Sequence, residues 1–137
     1  MDLSNTYLEW AQRNLALNGF VDRRHELVQA DCFKWLEAAQ RAAARYELIF
    51  LDPPTFSNSK RMQGVLDVQR DHGALIDSCM ALLAPGGMLV FSTNAQRFRL
   101  DPELERRYAL VDISAATVPP DFERNPHIHR CFELRAR

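Results

Sequence analysis

Apolar residues fall at helical spacing in three long stretches and in compact runs in five shorter ones. Leu8, Ala11, Leu15 and Ala16 make one stripe of a helix over about 5–18, with Ser4 placed to cap it and Asn18-Gly19 to stop it. The run at 25–30 reads as a strand ending at Asp31. Residues 33–45 are alanine-rich, with Phe33, Leu36 and Ala39 at helical spacing, and read as a second helix. The run 47–51 is apolar enough for a buried parallel strand. A polar loop over about 53–66 follows, then a helix over about 67–84 with Leu75, Cys79, Leu82 and Leu83 on one face. Pro85-Gly86-Gly87 should break that helix before a strand at 88–92. Asp101-Pro102-Glu103 opens a short helix, with proline and acids suited to a helix start. Strands over 108–118 and 127–134, separated by a proline-bounded loop, close the chain. Helix and strand alternate and two sequential strands finish the series. This order predicts an α/β fold, a mostly parallel sheet with an antiparallel edge.

Chemistry concentrates where the strand at 47–51 ends. Asp52, Pro53, Pro54, Thr55 and Phe56 follow it directly. A carboxylate there points into the crevice where open α/β sheets bind ligands. The two prolines remove two N–H donors and stiffen the exit, leaving carbonyls without ladder partners. An acidic acceptor, bare carbonyls and an aromatic face suit a flat, donor-rich heterocycle such as a nucleobase. Asp2 precedes the first helix and Asp31 the second. In a doubly wound sheet these two and Asp52 would share a rim. A carboxylate at Asp2 can accept from both hydroxyls of a ribose. Asp31 could accept from the exocyclic amine of an adenine, with Cys32 and Phe33 beside the ring. Each of the first two acids also suits a helix cap.

Composition narrows the classes. At 137 residues the chain is one domain at most, and its 47% apolar share is enough for a core. No apolar run approaches the length of a membrane span, and the start lacks a secretory pattern. The three cysteines, Cys32, Cys79 and Cys131, form no C-x-x-C pair, so a reducing, cytoplasmic setting is expected. A net charge of −1 excludes a basic nucleic-acid clamp by bulk charge. Lys60 and Arg61, on the polar loop after the proline pair, are the candidates for RNA phosphate contact. His127 and His129 would share a strand face, but no third ligand has a clear case, so no metal is expected. Cys32 has no base near it in sequence and reads as packing rather than a nucleophile. Trp10 and Trp35 read as helix residues that pack.

Asp2 to Ala11 with Asn14, then Gln29 to Cys32, then Asp52 to Met62 resemble class I S-adenosyl-L-methionine-dependent methyltransferases. More narrowly, they are similar to the C-terminal half of the bacterial bifunctional 23S rRNA guanine N2/N7 methyltransferases. The segments 67–72 and 124–129 fit the same family, so the resemblance covers essentially the whole chain. It implies a Rossmann-like fold binding S-adenosyl-L-methionine. Asp2 would hold the ribose, and Asp31 the adenine amine beside Cys32. Asp52, Pro53 and Pro54 would line the methionine side and the target base, and Phe56 would shape the base pocket. The implied product is 7-methylguanine in 23S rRNA. Enzymes that methylate exocyclic amines commonly place the aromatic directly after the proline pair, whereas here Thr55 intervenes.

The family's glycine-rich cofactor loop precedes the position of Asp2, and this sequence contains no such loop. The expectation is therefore a partial fold lacking the first strand, inactive alone, completed by an N-terminal part of the same polypeptide. An exposed sheet edge able to recruit a second chain is also expected. Three other readings stand beside this one. A 5-methylcytosine rRNA methyltransferase would share the Asp-Pro-Pro-x-Phe signature but needs a cysteine nucleophile. A nicotinamide-binding domain would explain Asp2 but not Asp52-Pro53-Pro54. A non-catalytic segment that only folds or dimerises is the third.

Overall fold

In the computed structural model of the chain, helix α1 (Asn5–Leu17) starts where the sequence places it. Ser4 caps it by accepting from the Tyr7 N–H, and Gly19 leaves it at φ 79, a backbone angle that suits glycine. The structure describes residues 1–58, 64–122, 124–125 and 128–137. They form two compact units, Met1–Ala38 and Ala39–Arg137.

In the first unit, Leu8, Ala11 and Leu15 are the half-buried residues of α1 and form the expected stripe, whereas Ala16 is exposed. Trp10, read as a packing residue, is instead 62% exposed. The strand expected over 25–30 does not form. A single parallel bridge joins Gln29 to Asp2, with the Asp2 N–H donating to the Val28 carbonyl and the Ala30 N–H to the Asp2 carbonyl. Helix α1 takes over at Asn5, and a single bridge is no ladder.

Helix α2 (Cys32–Arg41) runs from the first unit into the second and ends four residues earlier than expected. Ala43 is left-handed at φ 52. Its N–H donates to the Gln40 carbonyl and the Ala44 N–H to the Ala39 carbonyl. This is a Schellman stop made without glycine.

The second unit holds strands β1 (Tyr46–Leu51), β2 (Phe56–Ser57) and β3 (Leu66–Asp67), helix α3 (Val68–Met80) and strand β4 (Leu83–Thr93). Helix α4 (Pro102–Arg107) and strands β5 (Ala109–Asp112) and β6 (Arg130–Arg135) follow. The main sheet has the order β1-β4-β6-β5. The pairing β1–β4 is parallel, while β4–β6 and β6–β5 are antiparallel. The sheet is thus mixed rather than mostly parallel. A parallel neighbour needs a crossover such as α3 provides, and 25–30 adds no strand. Pro85-Gly86-Gly87, expected to precede a strand, lies inside β4 as a bulge, so that between paired positions one residue of β1 (Glu47) lies beside four of β4 (84–87).

Alternation along β4 sets the core. Leu89, Phe91 and Thr93 are buried on one face, with Leu134 and Phe132 of β6 opposite the first two. Val68, Leu75, Ile76 and Cys79 of α3, Leu104 of α4 and Phe98 are buried with them. The other face of β1 carries Tyr46, Leu48 and Phe50, and the last two are 59% and 66% exposed. β1 ends the strand order, so its outer edge has no ladder partner among the described residues.

Candidate active site

Leu51 pairs with Phe91, so β1 and β4 run side by side to carboxyl ends on one rim. Asp52, Pro53, Pro54, Thr55 and Phe56 leave β1 there. Asp52 and Pro54 are exposed and Pro53 is half-buried, so the proline pair stands at the surface of the rim. The segment is pinned at three points. The Thr55 hydroxyl donates to Asn94 Oδ1 (3.1 Å), just past the end of β4. The Val68 N–H donates to the Thr55 carbonyl (3.1 Å). Phe56 pairs with Asp67 in the small β2–β3 ribbon, and Asp67 caps α3 by accepting from the Gln69 and Arg70 N–H groups. Phe56 is 58% exposed on this ribbon. A large aromatic left open on a backbone fixed from both sides is available for stacking.

Asp2 and Asp31 belong to the first unit. The Asp2 carboxylate is exposed, and Oδ1 accepts from the Ser4 N–H (2.7 Å). Asp31 Oδ1 accepts from the Phe33 N–H (3.0 Å) and the Lys34 N–H (3.5 Å), so Asp31 caps α2. The bridge between Asp2 and Gln29 brings the two acids to neighbouring ends of one backbone pair. Each carboxylate is oriented by backbone N–H donors through a single oxygen. The second oxygen of each remains an acceptor, so the pair suits a ligand with hydroxyl and amine donors.

The thiols of Cys32 and Cys131 are held neutral. Burial, with the Asp31 charge beside it, pushes the Cys32 thiol up to about 11. Burial also raises Cys131, and the charge of Asp52 is among the smaller causes that add to this. Neither is a thiolate nucleophile at neutral pH.

The four positions Asp52, Pro53, Pro54 and Phe56 therefore stand together on one rim, and Asp2, Asp31 and Cys32 stand together in the other unit. Lys60 and Arg61 lie outside the described residues, as does His127. His129 is bonded to the Thr117 hydroxyl (2.8 Å). Among the described residues, no group of three or more His, Cys, Asp and Glu is placed to hold a metal ion. Sequence reading missed Asn94 as the partner that fixes Thr55. Its signal was there, since Asn94 closes the β4 run as Asp52 closes β1. It also missed an open recess between α3 and α4, lined by Arg70, Asp77, Arg99, Asp101 and Arg107. Beneath it His72 is buried, with Nδ1 facing the Val68 and Gln69 carbonyls and Nε2 accepting from the Asp101 N–H.

No family model matches the chain. Three curated proteins, each named ribosomal RNA large subunit methyltransferase K/L, are similar over nearly all of it. The Methylococcus capsulatus protein is 59% identical over 136 residues, 99% of this chain. The Stutzerimonas stutzeri protein is 59% identical and the Pseudomonas aeruginosa protein 56%, each over the full 137 residues. The chain spans about 18% of the length of each relative. Among solved structures, SMU.776, assigned as a methyltransferase and solved with SAH, aligns with TM-score 0.79 at 21% identity. It covers 98% of this chain and 37% of its own. A SAM-dependent methyltransferase from Agrobacterium tumefaciens aligns with TM-score 0.74 at 18% identity, covering 98% and 47%. At such identities these two establish the shared fold.

Proposed function

From the chain's similarity to proteins named ribosomal RNA large subunit methyltransferase K/L, we propose that it is a catalytic-domain segment of an S-adenosyl-L-methionine-dependent enzyme of that family. The enzyme methylates guanine N7 in 23S rRNA, in the cytoplasm. The observation that carries this reading is the 59% identity over 136 residues to a protein of that name. The chain works as part of a longer polypeptide, and taken alone it neither binds cofactor tightly nor turns over. The open edge of β1 and its apolar face support this, because they are surfaces another segment or a second copy can cover.

The donor set fits the cofactor. Asp2 accepts from the ribose hydroxyls and Asp31 from the adenine amine, each already oriented by backbone N–H groups. Cys32 packs beside the adenine as a neutral thiol. Asp52 with the carbonyls of Pro53 and Pro54 lines the methionine end and the incoming base, and Phe56 stacks on that base. When bound, the sulfonium cofactor supplies the electrophilic methyl group.

Guanine N7 carries a lone pair and no proton, so this chain need not provide a general base. With the cofactor bound, the methyl group it supplies would pass to N7 without any proton being removed by this chain. The residues here orient and exclude. A base drawn from its stack would be held by stacking against the exposed Phe56 ring, which orients it for transfer. Asp52 beside the rim favours the charge that develops on the ring. Lys60 and Arg61 contact RNA phosphate.

The raised Cys32 and Cys131 thiols weigh against the 5-methylcytosine alternative, which requires a thiolate. The two readings part in rRNA from a strain deleted for the full-length gene. Nucleoside mass analysis should show 7-methylguanosine reduced at one site and 5-methylcytidine unchanged. Loss of 5-methylcytidine with 7-methylguanosine intact would overturn the proposal.

A further inference from the structure

Arg97 and Arg99 stand in the turn after β4, on either side of Phe98. Phe98 is buried, edge-on to His72 at 4.8 Å and tilted against Phe91 at 5.6 Å. Gln69 of α3 holds the Arg99 backbone from both sides. Its Oε1 accepts the Arg99 N–H (2.9 Å) and its Nε2 donates to the Arg99 carbonyl (2.8 Å). Arg97 is left-handed at φ 63, a conformation that is strained for an L-residue. An anchored ring, a two-sided amide clamp and a retained strained residue make this turn rigid.

Both arginines are nevertheless exposed, and among the described residues neither forms an ion pair with a carboxylate. Arg70, Arg106, Arg107 and Arg130 are each ion-paired. The unpaired pair is also next to the candidate site. Asn94, three residues before Arg97, accepts from Thr55. Thr55 accepts from Val68, and Gln69, the next residue, clamps Arg99. The turn and the Asp52–Phe56 segment are thus stitched together on one rim.

We propose that Arg97 and Arg99 form a preorganised clamp on backbone phosphates of the single-stranded RNA flanking the base that stacks on Phe56. The inference rests on the RNA-methylating reading above and adds to it where RNA is gripped. A guanidinium fork matches phosphate oxygens in two-point fashion. A base taken from its stack leaves its flanking backbone splayed and open to such contacts. Fixing the turn beforehand removes the cost of ordering it at binding.

The test uses the full polypeptide that carries this chain, saturated with SAH, and a labelled single-stranded 23S rRNA oligonucleotide titrated between about 50 and 200 mM salt. The R97A/R99A variant should bind more weakly, with a slope of log affinity against log salt shallower by about 1.4, two single-strand phosphate contacts. The loss should be equal for oligonucleotides of different sequence, SAH affinity should be unchanged, and R97K/R99K should keep most of the slope. Gln69→Ala, which frees the turn but keeps both charges, should weaken binding with the slope intact. Wild-type slope and affinity in R97A/R99A would overturn the clamp while leaving the methylation reading standing. No RNA binding by the unaltered protein would overturn both.

Discussion

Cys32 shows how one residue separates two chemistries. Its thiol lies near 11, against an ordinary value of 9.0. The folded value is raised, so burial of the neutral thiol favours the folded state below the unfolded pKa. That contribution is lost as pH rises from about 9 to about 11. Iodoacetamide should therefore label Cys32 slowly near neutral pH and faster towards the folded value, and Cys32→Ala should lessen the alkaline fall in stability, leaving the part due to the raised Cys131 and Tyr108. Rapid labelling of native Cys32 at neutral pH would revive a nucleophilic role. Glycine is informative at the same scale. A Cβ on Gly87 would meet the Ala84, Tyr46 and Glu47 carbonyls at 2.9, 3.0 and 3.1 Å, all backbone atoms that cannot yield easily. Gly87→Ala should cost about 1–3 kcal/mol in urea unfolding. Gly73→Ala, in α3, would meet only Asp101 Oδ2 at 3.6 Å and should be neutral or gain up to about 1 kcal/mol. Equal effects of the two substitutions would contradict the packing described at the β4 bulge.

At the scale of elements, what was legible in the sequence depended on local chemistry. Caps at Ser4 and Asp101 and the proline at 102 marked helix starts, and all are seen. The stop of α2 was hidden because Ala43 occupies a position glycine usually takes, so the helix reads four residues too long. Ala43→Gly should relieve a left-handed strain of about 1–2 kcal/mol against about 0.4–1 kcal/mol of added unfolded-state entropy. A net rise in Tm is expected, and a fall would show that Ala43 makes packing contacts its backbone does not reveal. β4 was misjudged because Pro85-Gly86-Gly87 signals a break, whereas β1 lies alongside and accommodates it as a bulge. The segment 25–30 has strand composition, but composition cannot supply a neighbour, and one bridge to Asp2 is all it finds. In the candidate site, the acids and the proline pair were visible as residues at strand and helix ends. The Thr55–Asn94 bond and the Gln69–Arg99 clamp, spanning 39 and 30 residues, needed the fold.

At the scale of the molecule, each of the two compact units carries its own cluster of candidate residues. The first presents Asp2 and Asp31, and the second presents the Asp52–Phe56 rim beside the Arg97–Arg99 turn. Apolar Tyr46, Leu48 and Phe50 on the open strand β1 give the second unit a surface suited to further chain. The chain spans about 18% of its curated relatives. The most direct measurement is therefore a crystal structure of the full polypeptide bound to SAH. The ribose hydroxyls should lie within hydrogen-bond reach of Asp2, the adenine amine at Asp31, and the methionine end against Asp52 and Pro53. SAH seated instead in the recess between α3 and α4, among Arg70, Asp77 and Arg107, would contradict the assignment of these acids.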